Sequence, residues 1–430
     1  MRLSFTALLV IAAIGACTSA ESSPGAVVMS DSAGATIVFS REPRWAPGDA
    51  WTVSSEPSVA IGVLEGAEEY QLFAVAAAAR QSDGDIVVAE GGAGWSKGTA
   101  QVRLYDREGG FVRTLGGSGS GPGEFVSPDR VVVTEGDTVS VWDNTTLRTT
   151  RFDAAGEFVD VESADLARVA KAIDPPLYPA AMSLLPGGDL LVRLVEKAAN
   201  VKGSKASTPQ SPPQSVFRER SGALRVSLDR SSVDTLMFFG GTEQETVDAP
   251  WGPFDVVRPA ARRTVIAVQP TSSRVCIGDQ EGPEIVCFSP DGSRTVVRWM
   301  SEPVPLGDEE IATWRDATTE LYTLKMNEAE VLRVLEQVTI PAFRPPYSQI
   351  TLDRAGNLWV ELGRTVGSAT ESIDHLVFDP EGVLLGVVAL PPIEVLEIGD
   401  DYVLGLFRDE LEVEYLHLYE IVKPSDSRST

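Results

Sequence analysis

Eight side chains combine a residue type with a position that could do chemistry: Glu90, Trp95, Asp143, Arg148, Glu361, Arg364, Arg408 and Asp409. Each lies just after a β-rich run, where the chain must turn, and each group sets a carboxylate beside an arginine or an aromatic ring. Carboxylates gathered in this way could hold calcium through oxygen ligands, or two of them could serve as general acid and base. In so acidic a chain such charges are also simply solvated, and arginine–aspartate pairs in loops are often structural. EF-hand spacing, paired histidine ligands and a serine elbow are missing from the sequence. The only histidines, His375 and His417, stand inside strand-like segments and are expected to be packed or surface strand residues rather than bases. No catalytic residue is assigned.

The elements that must position these groups follow from composition and repeats. The 430 residues carry 62 acidic against 36 basic side chains, a net charge of −26 that repels phosphate backbones and argues against nucleic acid as a partner. Hydrophobic residues make up 43 %, enough for a real core and too many for a disordered chain. Repeated turn-then-strand signals occur at Asp83-Gly84-Asp85, Glu135-Gly136-Asp137, Pro186-Gly187-Gly188, Ser272-Ser273-Arg274, Ala355-Gly356-Asn357 and Gly399-Asp400-Asp401. A second turn, an aromatic followed by polar residues and glycine, recurs at Tyr105 to Gly109, Phe152 to Gly156, Phe288 to Gly292 and Phe378 to Gly382.

Two turns per unit imply antiparallel meanders, and the spacing of Gly84, Gly136 and Gly187 is about 50 residues, the period of a four-stranded propeller blade. An array of sandwiches would need about 100 residues per domain; a barrel or β-helix is a further alternative. The expected fold is all-β, a six-bladed β-propeller over residues 26–423 with a small helical insertion. Ala35 to Ser40 is expected to supply the missing strand of the last unit and so close the ring, removing an open edge.

Two insertions interrupt the repeats. Residues 197–215 are rich in Lys, Ser, Pro and Gln and read as a mobile loop. Residues 308–338 carry apolar side chains at helical spacing, from Ile311 and Trp314 to Leu335 and Val338, and read as two helices broken near Lys325-Met326-Asn327. Their apolar faces either cover the torus or cap one end of a central channel. Residues 424–430 read as a disordered tail.

The N-terminus reads as a processing segment. Arg2 and the short apolar run Ala7 to Ile14 end in Ile14-Gly15-Ala16-Cys17, which resembles a bacterial lipobox. The resemblance implies a signal peptide over residues 1–16, lipidation of Cys17, and a polar tether over 17–25. The expected location is the bacterial cell envelope, at the outer membrane or facing the periplasm. Membrane contact would run through the lipid only, because no other apolar run approaches spanning length. In that oxidising setting Cys276 and Cys287, flanking a Gly-Pro turn, either form a disulfide across a hairpin or are two small buried residues one register apart.

Leu115-Gly116-Gly117-Ser118-Gly119-Ser120-Gly121-Pro122-Gly123-Glu124-Phe125, with Val139 to Asp143 and Arg148 to Asp153, resembles the NHL repeat of six-bladed propellers. It is similar, more closely, to a group of bacterial six-bladed propeller lipoproteins, whose ending resembles Tyr402 to Tyr415. The resemblance implies the fold and not an activity. The glycines of Gly117-x-Gly119-x-Gly121 lack dinucleotide-fingerprint spacing and are expected to form a turn between two units. The functional expectation is a binding or scaffolding module for a protein, peptide, glycan or small-molecule ligand at one propeller face. The alternative is a calcium-dependent, lactonase-like hydrolase or lyase with its site in the channel.

Overall fold

The computed structural model describes residues 27–46, 48–91, 100–134, 136–164, 177–196, 215–227, 232–324, 326–363 and 372–424. The signal segment, Cys17 and its tether, Trp95, Arg364, the 197–215 loop except Ser215, and the tail after Pro424 lie outside the described residues.

Among the described residues the strands form six sheets, each built on an antiparallel meander, and two of them also take in N-terminal strands. The first runs Val75–Arg80, Ile86–Glu90, Gln101–Tyr105 and Phe111–Gly116; the second Pro128–Val133, Val139–Asp143, Arg148–Phe152 and Phe158–Ser163. The third has five strands, Leu177–Leu184, Leu190–Glu196, Ser215–Val226, Val233–Ala249 and Gly252–Val257. The fourth contains Val265–Val268, Val275–Gly278, Glu284–Phe288 and Arg294–Trp299, and the fifth Gln349–Leu352, Leu358–Glu361, Ile373–Phe378 and Leu384–Leu390. The sixth is Glu394–Ile398, Tyr402–Arg408 and Glu414–Val422, completed from the N-terminal side by Thr52–Val53 and Val59–Ile61.

The ring is legible in how single strands divide their side chains. Successive residues of a strand point to opposite faces of its sheet. Ile86 and Val88 pack with Leu404, Leu416 and Leu418 of the sixth sheet, whereas Val87 and Ala89 pack with Val131, Val141 and Phe152 of the second. Both faces are therefore buried, which explains why Ile86-Val87-Val88-Ala89 is apolar throughout instead of alternating. Trp142 joins Met182, Leu190 and Leu224 between the second and third sheets, and Leu191 and Phe239 meet Val275 and Phe288 between the third and fourth. Trp299 lies with Ile350, Leu358 and Val360 between the fourth and fifth, while Trp359 turns the other way to Ile398 and Val403 of the sixth. Six shared cores close the circle, and the fold is a β-propeller with a small helical insertion.

The turns explain the repeat signature. In Asp106, Asp153 and Asp409 one carboxylate oxygen accepts backbone N–H groups two and four residues ahead, a ready-made Asx turn. The interblade glycine loop folds back so tightly that a Cβ on Gly116 would run into the Gly123 carbonyl and the Phe125 ring.

Ring closure differs from expectation. Ala35–Ser40 pairs in parallel with Arg294–Trp299, widening the fourth sheet, and Val27–Ser32 pairs antiparallel on its outer side. Closure falls instead to Val59–Ile61, whose residues pair with Leu416, His417 and Leu418 and seat Ile61, 1 % exposed, in the core between the sixth and first sheets. Two short strands beside Pro57 lack the length that marks a strand in sequence.

The insertion forms two helices, α1 (Asp308–Thr323) and α2 (Glu328–Leu335), with Asn327 Oδ1 accepting the Glu330 N–H as the cap of α2. Val331, Val334, Leu335 and Val338 pack on Val247 and Val256, so the helices rest on the long outer strands of the third sheet. Cys276 and Cys287 are direct partners in register and are joined by a disulfide, with Cα atoms 4.0 Å apart.

Candidate functional site

In a four-stranded meander the start of the innermost strand and the loop between the second and third strands share one face, here called the upper face. Glu90, Asp143, Glu361, Arg408 and Asp409 all reach it, as the repeat pattern requires.

Asp143 accepts four backbone N–H groups, those of Val126 (2.6 Å), Ser127 (3.0 Å), Thr145 (3.0 Å) and Thr146 (2.7 Å). Burial pushes its carboxyl up, but the amides of Thr146, Val126 and Ser127 outweigh it and hold the pKa below its ordinary value. Glu90 is fully buried, with Oε1 accepting the Phe73 N–H at 2.9 Å and Oε2 at 3.1 Å from Arg103 Nη1. Burial raises its pKa to about 7 despite the Phe73 amide and the Arg103 charge. Arg103 in turn donates to the carbonyls of Glu68 and Glu69. Glu361 accepts from Ser348 Oγ at 2.7 Å, and its other oxygen lies 3.8 Å from His375 Nε2.

Arg148 donates to the Ser120 carbonyl of the glycine loop, and Arg408 pairs with Glu414 at 3.0 Å and Glu394 at 3.2 Å. Asp409 serves its own turn and accepts from the Tyr415 hydroxyl. His375 is buried against Trp359, and His417 stacks on Phe407 with its pKa lowered by burial.

A common function emerges: upper-face carboxylates hold the chain where it enters an innermost strand. Sequence reasoning missed one member of this set, Glu414, which accepts the Val75 N–H at 2.8 Å, and also Glu245, which accepts the N–H and hydroxyl of Thr339 and so ties the chain after α2 to the third sheet. Between the amides held by Glu90 and Glu414 lies Ala74, at φ +54°, a conformation unusual for a residue with a Cβ. Oxygens of Glu90, Asp143 and Asp409 each accept backbone amides. Among the described residues no group of three or more His, Cys, Asp or Glu side chains is arranged to hold a metal ion.

Two spaces remain. An open groove of about 780 Å³ runs along the upper face where the first and sixth sheets meet, lined by Leu64, Glu68, Phe73, Gln101, Gly117 and Glu412 among others. Phe73 and Leu64 are more than half exposed there. The second space, of about 240 Å³, is the central channel, walled by innermost strands of five sheets.

Ala76 to Ala79 keep the channel wide on one side, while Asp129, Arg130, Gln349, Thr351 and Glu397 add polar groups. Glu397 is held by the Arg80 N–H and by Arg354 Nη1 at 2.9 Å. Burial, with Asp143 as a nearby like charge, raises Asp129 to about 7, and burial lowers Arg130. Sequence reasoning missed both residues; the available signal was two adjacent charges opening the otherwise apolar strand Pro128–Val133.

Among the described residues no helix is long and apolar enough to cross a membrane. No protein-family model matches the chain, and no curated protein matches it. Solved structures similar to it include an exported protein from Bacteroides fragilis, at 13 % identity over 90 % of this chain and 99 % of that one, TM-score 0.41. A member of the DUF4221 family from Bacteroides vulgatus is 11 % identical over 87 % and 99 %, TM-score 0.45. A gluconolactonase from Xanthomonas campestris is 13 % identical over 82 % and 87 %, TM-score 0.35.

Proposed function

We propose that the chain is an exported β-propeller, held in a bacterial envelope by a lipid on Cys17, that binds a protein, peptide or glycan along its upper face. One observation carries this reading: the groove between the first and sixth sheets is open and exposes Phe73 and Leu64 in a lining that also holds Glu68, Gln101 and Glu412. Large apolar side chains left in water beside polar ones are the composition of a recognition surface. An aromatic ring in an open groove can stack on a sugar face or an apolar peptide side chain. The fastening carboxylates keep the groove walls fixed, so little ordering cost attends binding.

Replacing Phe73 and Leu64 together by serine leaves the Phe73 N–H, and hence the Glu90 contact, in place. The expected result is about a tenfold or greater loss of the ligand recovered from envelope extracts by the purified protein, with the melting temperature unchanged. Equal recovery by the double variant would remove the groove from consideration.

The anchor is tested separately. Cys17→Ser is expected to move the protein from the membrane fraction to the soluble fraction of cells. Unchanged fractionation would contradict lipidation at this residue.

A further inference from the structure

The central channel presents an unusual pair of adjacent residues on the innermost strand of the second sheet. Asp129 Oδ1 and Arg130 Nε are buried and have no hydrogen-bond partner. No hydrogen bond or ion pair among the described residues involves the Arg130 guanidinium, although both residues line the cavity. Other channel and rim arginines are engaged: Arg354 holds Glu397 and the Arg80 carbonyl, and Arg274 holds the Gly356 carbonyl.

A guanidinium is a five-donor fork that keeps its charge; Asp129 and Glu397 act on that charge from nearby, while the Arg130 Nε–H is enclosed without an acceptor. An acceptor arriving in the channel would complete its hydrogen bonding. The space of about 240 Å³ exceeds several times the share of one water, about 30 Å³, and is too closed for a folded partner.

We infer that the channel is a binding site for a small organic acid, whose carboxylate meets the Arg130 fork while a hydroxyl or ammonium beside it donates to Asp129 Oδ1. Both unpartnered groups are then satisfied by one molecule. Glu397, already held by Arg354, adds little repulsion. The alanine run Ala76 to Ala79 leaves the room that larger side chains would fill. This site is separate from the upper-face groove and does not depend on it.

The test is thermal stabilisation and calorimetric titration of the full chain with L-lactate, glycine, acetate and inorganic phosphate. Lactate or glycine is expected to bind more tightly than acetate, which lacks the second donor, and than phosphate. Arg130→Met is expected to lose that binding by about tenfold or more, while melting at the same or a higher temperature without ligand, since no hydrogen bond to the protein is removed. Arg130→Lys, which keeps charge but not the fork, is expected to bind weakly. Asp129→Asn is expected to narrow the gap between lactate and acetate. Absence of binding by all four probes, tighter binding of phosphate, or equal binding by Arg130→Met would each overturn the assignment. So would a lower ligand-free melting temperature in both Arg130 variants, which would make the residue structural.

Discussion

Asp143→Ala is expected to destabilise the protein by about 3 kcal/mol, because one carboxylate satisfies four backbone amides and a buried amide left without an acceptor costs about 1–3 kcal/mol. The Ser127 amide is the most expensive of the four, since that residue is buried. Urea unfolding measures the loss, and Asp143→Asn, which keeps one acceptor oxygen, is expected to recover part of it. The pH dependence has a definite sign. The folded pKa is below the unfolded value of about 3.9, so the stabilisation is present above that value and disappears as pH falls through the folded pKa. Stability of Asp143→Ala is therefore expected to vary less with pH in the acid range than that of the parent. A loss under about 1 kcal/mol would show that the amides find other partners.

Ile61→Asp is expected to cost about 4 kcal/mol or more and to cause self-association. Ile61 pairs with Leu416 at the seam where the chain's two ends meet, and a carboxylate there would be buried without a partner. Loosening this strand uncovers the edge of Glu414–Val422, and an open edge pairs with other chains. Ile61→Val, which removes one methyl group, is expected to cost only about 1 kcal/mol and to stay unassociated. Chromatographic size and urea midpoint distinguish the cases. If Ile61→Asp behaved like Ile61→Val, the seam would not depend on this strand.

The architecture was largely legible because its punctuation is chemical. Gly84 and Gly356 occupy positive φ angles in turns, and the turn aspartates Asp106, Asp153 and Asp409 bind their own backbone, so the repeat is written in residues that local geometry demands. The closing strand was not legible, because Val59–Ile61 gains its identity from pairing with Glu414–Val422 more than 350 positions away. Ala35–Ser40 looked the better candidate: it has strand composition, but its partner is Arg294–Trp299.

The loop carboxylates were legible by position but not by partner. Position in the repeat shows that Asp143 lies on the upper face, but only the folded chain brings Val126 and Ser127 to it. The channel residues Asp129 and Arg130 escaped notice for a related reason. Charges at the start of a strand are ordinary in sequence, and their lack of partners exists only in three dimensions.

The central claim is a division of labour: upper-face carboxylates fasten the chain where it enters the innermost strands, and Asp129 and Arg130 in the channel are kept for a ligand. Urea unfolding of Asp143→Ala and Arg130→Met, side by side and without ligand, tests it most directly. Opposite outcomes are predicted, with Asp143→Ala clearly less stable than the parent and Arg130→Met as stable or more so. Losses of similar size in both would contradict the claim, since Arg130 would then hold the fold together as Asp143 does.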